Sequence, residues 1–278
     1  MNEILTFRDG AEVIRLGQGT WYMGEDASKR QEEIKALQYG IELGMNVIDT
    51  AEMYGDGSSE KLVGEAIRGK RENVFLISKV LPWHASSKGT IAACEGSLQR
   101  LKTDHLDLYL LHWQGEYPFE ETLEGMMELI RQGKIRRWGV SNMDVDEMEK
   151  FYSITNGDTC AANEVLYNLS RRGVEYDLLP WCKKKKLPVI AYSPIEQGRI
   201  LNNEALMDIA DKHQVTPSQV ALNWVLRNPD VIAIPKAGRV EHVESNYKCL
   251  SLVLDSEDYQ ALDRAFPPPT QKKRLEML

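Results

Sequence analysis

Apolar residues along this chain follow two alternating patterns. Short, nearly unbroken apolar runs recur at Leu16–Thr20, Asn46–Asp49, Val74–Lys79, Leu106–His112, Trp138–Asn142, Ala161–Val165, Pro188–Ser193 and Val231–Pro235. Runs with so little polar alternation suit strands of a parallel sheet that is covered on both faces. Between them, apolar residues repeat three and four apart: Ile34, Leu37 and Ile41; Leu62, Val63, Ala66 and Ile67; Leu98 and Leu101; Leu123, Met126, Met127 and Ile130. That spacing lines one face of a helix and predicts helices over Gln31–Leu43, Glu60–Ile67, Ile91–Leu101 and Thr122–Ile130. Weaker stripes predict Asp146–Tyr152, Tyr176–Lys185, Glu204–His213 and Glu241–Leu250. Thr216-Pro217 opens one more helix, with proline where a missing N–H is harmless. Gly44, Gly69 and Gly133 follow helices as C-terminal caps.

Ahead of this alternation, Ile4–Thr6 and Val13–Arg15 flank Asp9-Gly10, a hairpin signal. Strand followed by helix, eight times over, predicts an α/β fold: a (β/α)8 TIM barrel with an N-terminal β-hairpin, occupying residues 1–278 as a single domain. A doubly wound open sheet is the rival. It would carry G-x-G-x-x-G after its first strand. Here Gly17-Gln18-Gly19 runs into Thr20-Trp21-Tyr22 and the third glycine is absent.

Composition narrows the class without naming a chemistry. Of 278 residues, 42% are hydrophobic and 27% charged, ordinary for a globular protein. Thirty-four Lys+Arg against forty-two Asp+Glu leave a net charge of −8, which opposes non-specific nucleic-acid binding. The run Lys183–Lys186 reads as a solvated helix end, where cations suit the dipole. No apolar run reaches the roughly 18 residues of a membrane span, so no membrane partner is expected. The start, MNEILTFRDG, has no signal-peptide pattern, and a cytoplasmic location is expected. Cys94, Cys160, Cys182 and Cys249 lie far apart, so they read as reduced, buried residues and no metal site is expected.

Candidate chemistry collects where apolar runs end. In a barrel, catalytic groups stand at the C-terminal ends of strands. The second run ends at Asp49 with Tyr54 just behind; the third ends at Lys79, the fourth at His112, and the fifth at Ser141-Asn142. Asp, Tyr, Lys and His together suit proton transfer to a carbonyl oxygen. A nearby ammonium stabilises phenolate and so lowers a tyrosine pKa, and a carboxylate fixes the ammonium. Histidine can orient the same carbonyl. A reduction also needs a hydride, which no side chain supplies, so a cofactor is implied.

At these residues the sequence resembles the aldo-keto reductase superfamily across essentially the whole chain. The matching segments are Gly17-Gln18-Gly19-Thr20-Trp21, the stretch from Asn46 through Asp49 and Tyr54 to Gly55, Ile77-Ser78-Lys79, the stretch from Leu106 to Trp113, Gly139-Val140-Ser141-Asn142, Ala191-Tyr192-Ser193-Pro194 and Ile234-Pro235-Lys236. It looks most like compact bacterial members that reduce small reactive aldehydes such as methylglyoxal. The resemblance implies NADPH, or NADH as a weaker alternative, lying across the barrel mouth. It implies Tyr54 as general acid, Lys79 and Asp49 as its tuning pair, and His112 as the carbonyl-orienting residue.

For the cofactor, the resemblance implies contacts from Thr20, Trp21, Asp49 and Ile234, with Ser141, Asn142 and Glu164 on the carboxamide and Tyr192 stacked on the ring. Ser193, Pro194, Ile195, Gln197 and Gly198 would cover the diphosphate. Lys236, Ala237, Gly238, Arg239 and His242 would surround the 2′-phosphate, with Asn246 on the adenine. Trp21, Trp83 and Trp113 could form an apolar substrate pocket beside Tyr54 and His112. The tail from Pro267 is expected only to cross the surface.

Three positions depart from the family pattern. Glu164 stands where glutamine is usual, and its charge would favour the oxidised, positive ring unless it is protonated or paired. His242 replaces a common arginine and Ala237 a common serine, so Arg239 is the expected substitute cation. Gln114 follows Trp113 where proline is common. The expectation is a monomer acting on small-molecule aldehydes. The alternative is an NADPH-binding regulatory subunit acting through a protein partner, as with potassium-channel β subunits; a chain starting at the barrel's own hairpin disfavours it.

Overall fold

A computed structural model describes residues 3–278. The hairpin forms as its turn signal predicts. Strands β1 (Ile4–Thr6) and β2 (Glu12–Ile14) pair antiparallel with Leu5 opposite Val13, and Gly10 takes a φ of 87° in the turn. Eight parallel strands follow, neighbours in chain order: β3 (Gln18–Gly19), β4 (Val47–Asp49), β5 (Phe75–Val80), β6 (Leu108–Leu111), β7 (Trp138–Ser141), β8 (Asn163–Leu166), β9 (Val189–Tyr192) and β10 (Val231–Ala233). First meets last through the Gly17 N–H on the Ala233 carbonyl at 2.8 Å and the Gly19 N–H on the Pro235 carbonyl at 3.1 Å. A side chain on Gly19 would put its Cβ 2.7 Å from the Ile234 carbonyl oxygen. The Gly-Gln-Gly segment therefore serves close approach of two backbones at the seam.

The helices are α1 (Arg30–Glu42), α2 (Ser58–Ala66), α3 (Ser87–Leu101), α4 (Phe119–Arg131), α5 (Val145–Ser153), α6 (Leu178–Lys185), α7 (Glu204–His213), α8 (Pro217–Val225), α9 (Val240–Tyr247) and α10 (Ser256–Ala265). Caps set several boundaries. The Ser86 hydroxyl accepts from the Gly89 N–H and starts α3 before its apolar stripe begins. Thr216 and Gln219 form a reciprocal capping box at α8. Lys183, Lys184 and Lys185 close α6 as the charge reading expected. The sequence pattern missed α10, whose start is fixed by Asp255 and Asp258 and which fully buries one apolar side chain, Leu262.

A two-residue step organises the barrel interior, since alternate residues of a strand face the same side. Val47, Phe75, Ile77, Leu108, Leu110, Ala162, Ile190, Ile232 and Ile234 pack inside together with Leu5, Phe7 and Val13 of the hairpin segment. Phe7 stacks on Phe75, centroids 5.0 Å apart, so the hairpin seals the end where the strands begin. The intervening residues, among them Ile48, Leu76, Tyr109, Val140, Val165 and Val189, pack outward against the helices. All four cysteines are buried and form no disulfide. Among the described residues, no helix is long and apolar enough to cross a membrane.

Candidate active site

The same step delivers polar groups to the opposite end. Two residues beyond Val47 comes Asp49, beyond Ile77 Lys79, beyond Leu110 His112, beyond Ala162 Glu164 and beyond Ile190 Tyr192. Each caps an apolar inward column, Asp49, Lys79, His112 and Tyr192 at or next to the strand end and Glu164 within β8, so five strands contribute to one floor. Tyr54 enters from the turn behind β4, whose Gly55 and Gly57 take φ values of 53° and 81°.

Lys79 is the hub. Its Nζ donates to Asp49 Oδ1 at 2.5 Å, to the Thr50 carbonyl at 3.1 Å and to the Tyr54 hydroxyl oxygen at 3.1 Å. Those bonds use the three N–H groups of an ammonium. Glu164 Oε1 is a further neighbour at 3.2 Å, and Glu164 Oε2 is buried without a hydrogen-bond partner. The Lys79, Asp49 and Glu164 side chains are 0%, 2% and 2% exposed.

Burial at this floor changes every proton affinity. It works against the Lys79 ammonium, yet the facing Asp49 and Glu164 carboxylates hold the lysine well above its ordinary value. Burial raises Asp49 despite Lys79, and burial with Asp49 raises Glu164 much further. Burial also outweighs Lys79 at Tyr54 and pushes the phenol up. The sequence reading expected the ammonium to lower Tyr54; the ammonium does pull that way, but loss of water wins. His112 is pushed far down, by burial and then by Lys79, so its imidazole is neutral.

Asn142 ties the neighbouring strands together from a left-handed backbone position, φ 57°. Its amide donates to the His112 carbonyl and to Ser141 Oγ, both at 3.1 Å, and its Oδ1 accepts the Tyr192 hydroxyl at 2.9 Å.

Two connected cavities open above this floor. A groove of about 360 Å³ is lined by Thr20, Trp21, Asp49, Tyr54, Tyr192, Ser193, Pro194, Ile195, Gln197, Gly198, Ile234 and Lys236, together with Gly19, Tyr22 and Pro235. A second hollow of about 230 Å³ is lined by Trp21, Tyr54, His112, Trp113, Ser141, Asn142, Glu164 and Tyr192, with Met53, Met277 and Leu278.

Some expected residues lie elsewhere. Ala237, Gly238, Arg239, His242 and Asn246 line neither cavity; they continue from Lys236 into α9, where the exposed Arg239 guanidinium lies 2.8 Å from His242 Nε2. Trp83 also lines neither. It is 58% exposed and meets Trp113 edge-on at 5.8 Å, so it braces the pocket wall from outside.

Sequence reasoning missed two features. Glu196 is buried and holds the loop after β9, accepting from Asn168 Nδ2 at 2.8 Å, Arg171 Nη2 at 3.0 Å and Arg199 Nη2 at 2.8 Å. That anchoring stabilises left-handed φ values at Ser193, Glu196 and Gln197. The second feature corrects the reading of the tail as mere surface chain. Lys272 pairs with Asp177 at 3.1 Å and Arg171 with Glu276 at 2.6 Å, and this carries Met277 and Leu278 into the hollow.

A barrel with polar groups gathered at one end beside an open groove is a common enzyme arrangement, and comparison with known proteins identifies the class as an oxidoreductase. The aldo/keto reductase family profile matches residues 15–266. Methylglyoxal reductase YeaE of Escherichia coli is 52% identical, over 99% of each chain. Glyoxal reductase of Bacillus subtilis is 33% identical, over 95% of this chain and 92% of its own length. The crystal structure of an aldo-keto reductase from Klebsiella pneumoniae in complex with NADPH superposes with a TM-score of 0.98, at 50% identity and full coverage of both chains. A second structure of an aldo/keto reductase from that organism contains NADP and acetate. The chain belongs to the aldo/keto reductase family.

Proposed function

We propose that the chain reduces small aldehydes and 2-oxoaldehydes of the methylglyoxal type to alcohols, with NADPH as the reductant and NADH as a poorer substitute. One observation carries the reading. The Tyr54 oxygen accepts from Lys79, which leaves the phenol's own proton free to point into the hollow beside His112.

The groove suits the cofactor. It is lined by the half-buried Tyr192 ring and the exposed Lys236, and Arg239 follows three residues later, cations appropriate to a 2′-phosphate. Glu164 leaves a buried oxygen unpartnered at the inner end, beside Asn142 and Ser141, where a carboxamide could satisfy it. NADPH, when bound, supplies the hydride that no side chain can.

The protein's own groups do the rest. Neutral His112 offers an N–H to the aldehyde oxygen and fixes it near Tyr54. Tyr54 delivers its proton to that oxygen as negative charge develops there. Lys79 stabilises the phenolate left behind, and Asp49 keeps Lys79 charged and in place. Trp21, Trp113, Met53 and Leu278 line a hollow of a size that suits a short-chain substrate. Catalysis by a monomer, in the cytoplasm and without a protein partner, completes the reading.

Steady-state turnover of methylglyoxal with NADPH tests it, using Tyr54→Phe as the control. Activity in the wild type that falls by about three orders of magnitude in the variant, with NADPH affinity retained, is expected. Turnover surviving in Tyr54→Phe rejects the acid, and NADPH binding without any aldehyde turnover in the wild type favours a sensing role instead.

A further inference from the structure

Glu164 is poorly compensated where it stands. Two buried carboxyl groups face one buried ammonium. Asp49, the Thr50 carbonyl and Tyr54 already take the three N–H bonds of Lys79. Glu164 is left with a charge contact at 3.2 Å and a second oxygen that bonds to nothing. The other strands around it offer no cation. His112, beyond β6, is neutral; β7 presents Ser141 and Asn142; β9 presents the phenol Tyr192, already bonded to Asn142. Asp49 on β4 adds like charge and a carboxylate that shares a hydrogen bond with Glu164, which favours a proton there. A fully ionised floor would hold net negative charge away from water, and such a site takes up a proton. Burial and the Asp49 carboxylate both direct that proton to Glu164.

We propose that Glu164 is the proton-holding group of this site and that its ionisation is linked to the charge of the nicotinamide ring: it stays neutral beneath the reduced cofactor and releases a proton when the oxidised cofactor binds. The inference rests on the cofactor reading given above. A neutral carboxyl offers one O–H donor and one C=O acceptor, the complement a primary carboxamide requires. The oxidised ring is a cation. Held in the hollow that Glu164 lines, it would reverse the balance and favour the carboxylate. Each redox form thus meets the charge state of Glu164 that suits it, and one proton separates the two complexes.

The linkage has a direct measure. If binding of NADP⁺ expels one proton more than binding of NADPH, the ratio of their dissociation constants shifts towards NADP⁺ by up to tenfold for each unit of rising pH. The phosphates of the two forms titrate alike and cancel in that ratio. Calorimetric titration of the wild-type protein with each form, in buffers of different ionisation enthalpy near pH 7, counts the protons. The expected difference approaches one, and it vanishes in Glu164→Gln.

Infrared difference spectra on wild-type protein carrying isotope-labelled glutamate give an independent readout that does not depend on the variant folding. A carboxylic C=O band of glutamate should disappear on addition of NADP⁺ and persist with NADPH. Equal proton counts for the two forms, with an unchanged glutamate band, overturn this inference while leaving the cofactor reading intact. A difference that persists in a folded Glu164→Gln overturns the assignment to Glu164. Failure of both cofactor forms to bind overturns the cofactor reading and this inference together.

Discussion

The ammonium of Lys79 lies 3.1 Å from the hydroxyl oxygen of Tyr54 and points a hydrogen at it. Its charge lowers the cost of a phenolate, while burial raises it and prevails in the resting protein. Tyr54 therefore keeps its proton in the resting protein, as the proposed general acid must. Lys79→Met should reduce kcat for aldehyde reduction by roughly 10²–10⁴, the range for loss of general-acid assistance. The effect should fall on kcat more than on NADPH affinity, which fluorescence titration can measure separately. Full activity in Lys79→Met would falsify the pairing.

Glu164 also leaves a signature in stability. Its folded-state pKa lies well above the ordinary 4.5, because of burial and then Asp49. Its stabilising contribution is complete below about pH 4.5 and is lost as pH rises towards the folded value, by at most about 1.4 kcal/mol per pH unit. Glutamine does not titrate. Thermal unfolding followed from about pH 5 to about pH 8 should show Glu164→Gln gaining on the wild type as pH rises. A constant difference across that range contradicts a retained proton.

Glu196 touches neither cavity but holds the loop that lines the groove. Glu196→Ala leaves Arg171 and Arg199 without their shared carboxylate and relaxes left-handed backbone at Ser193 and Gln197. NADPH affinity should fall roughly tenfold or more, on the scale of losing a charge-assisted hydrogen-bond network. Single-turnover hydride transfer at saturating cofactor should change little. A large loss in that step with unchanged affinity counts against the anchoring role.

Lys236 lines the groove and Arg239 follows three residues later; both are exposed cations. Substituting each with alanine should weaken NADPH by about tenfold per lost charge-assisted contact and leave NADH nearly unaffected. Parallel kinetics with the two cofactors measure the ratio. Discrimination unchanged in the double variant places the 2′-phosphate elsewhere.

Much of this architecture was legible because the barrel depends on a pattern of period two. The runs through Val47, Ile77 and Leu110 were visible as strands, and their terminal Asp49, Lys79 and His112 were visible as polar groups closing apolar columns. Glu164 could be named but its condition could not, since that depends on how many N–H groups Lys79 has left. Long-range anchoring was equally hidden. Nothing local marks Glu196 as the partner of Asn168 and Arg171, or Leu278 as part of a pocket wall reached through salt bridges at Arg171 and Lys272. Helix α10 carries only a short stripe, Tyr259, Leu262 and Phe266, of which Leu262 alone is fully buried; its Asp255–Asp258 cap was the other available signal.

The hairpin at the closed end, with Leu5, Phe7 and Val13 packed beneath the strands, has a consequence for how such a molecule can diversify. Folding and recognition draw on opposite ends of the same strands. The lower residues of each column hold the cylinder together, while Met53, Trp113, Met277 and Leu278 shape what enters from above. Changes at the rim can therefore accumulate with little burden on assembly, and one scaffold can be retuned from one carbonyl compound to another without being rebuilt.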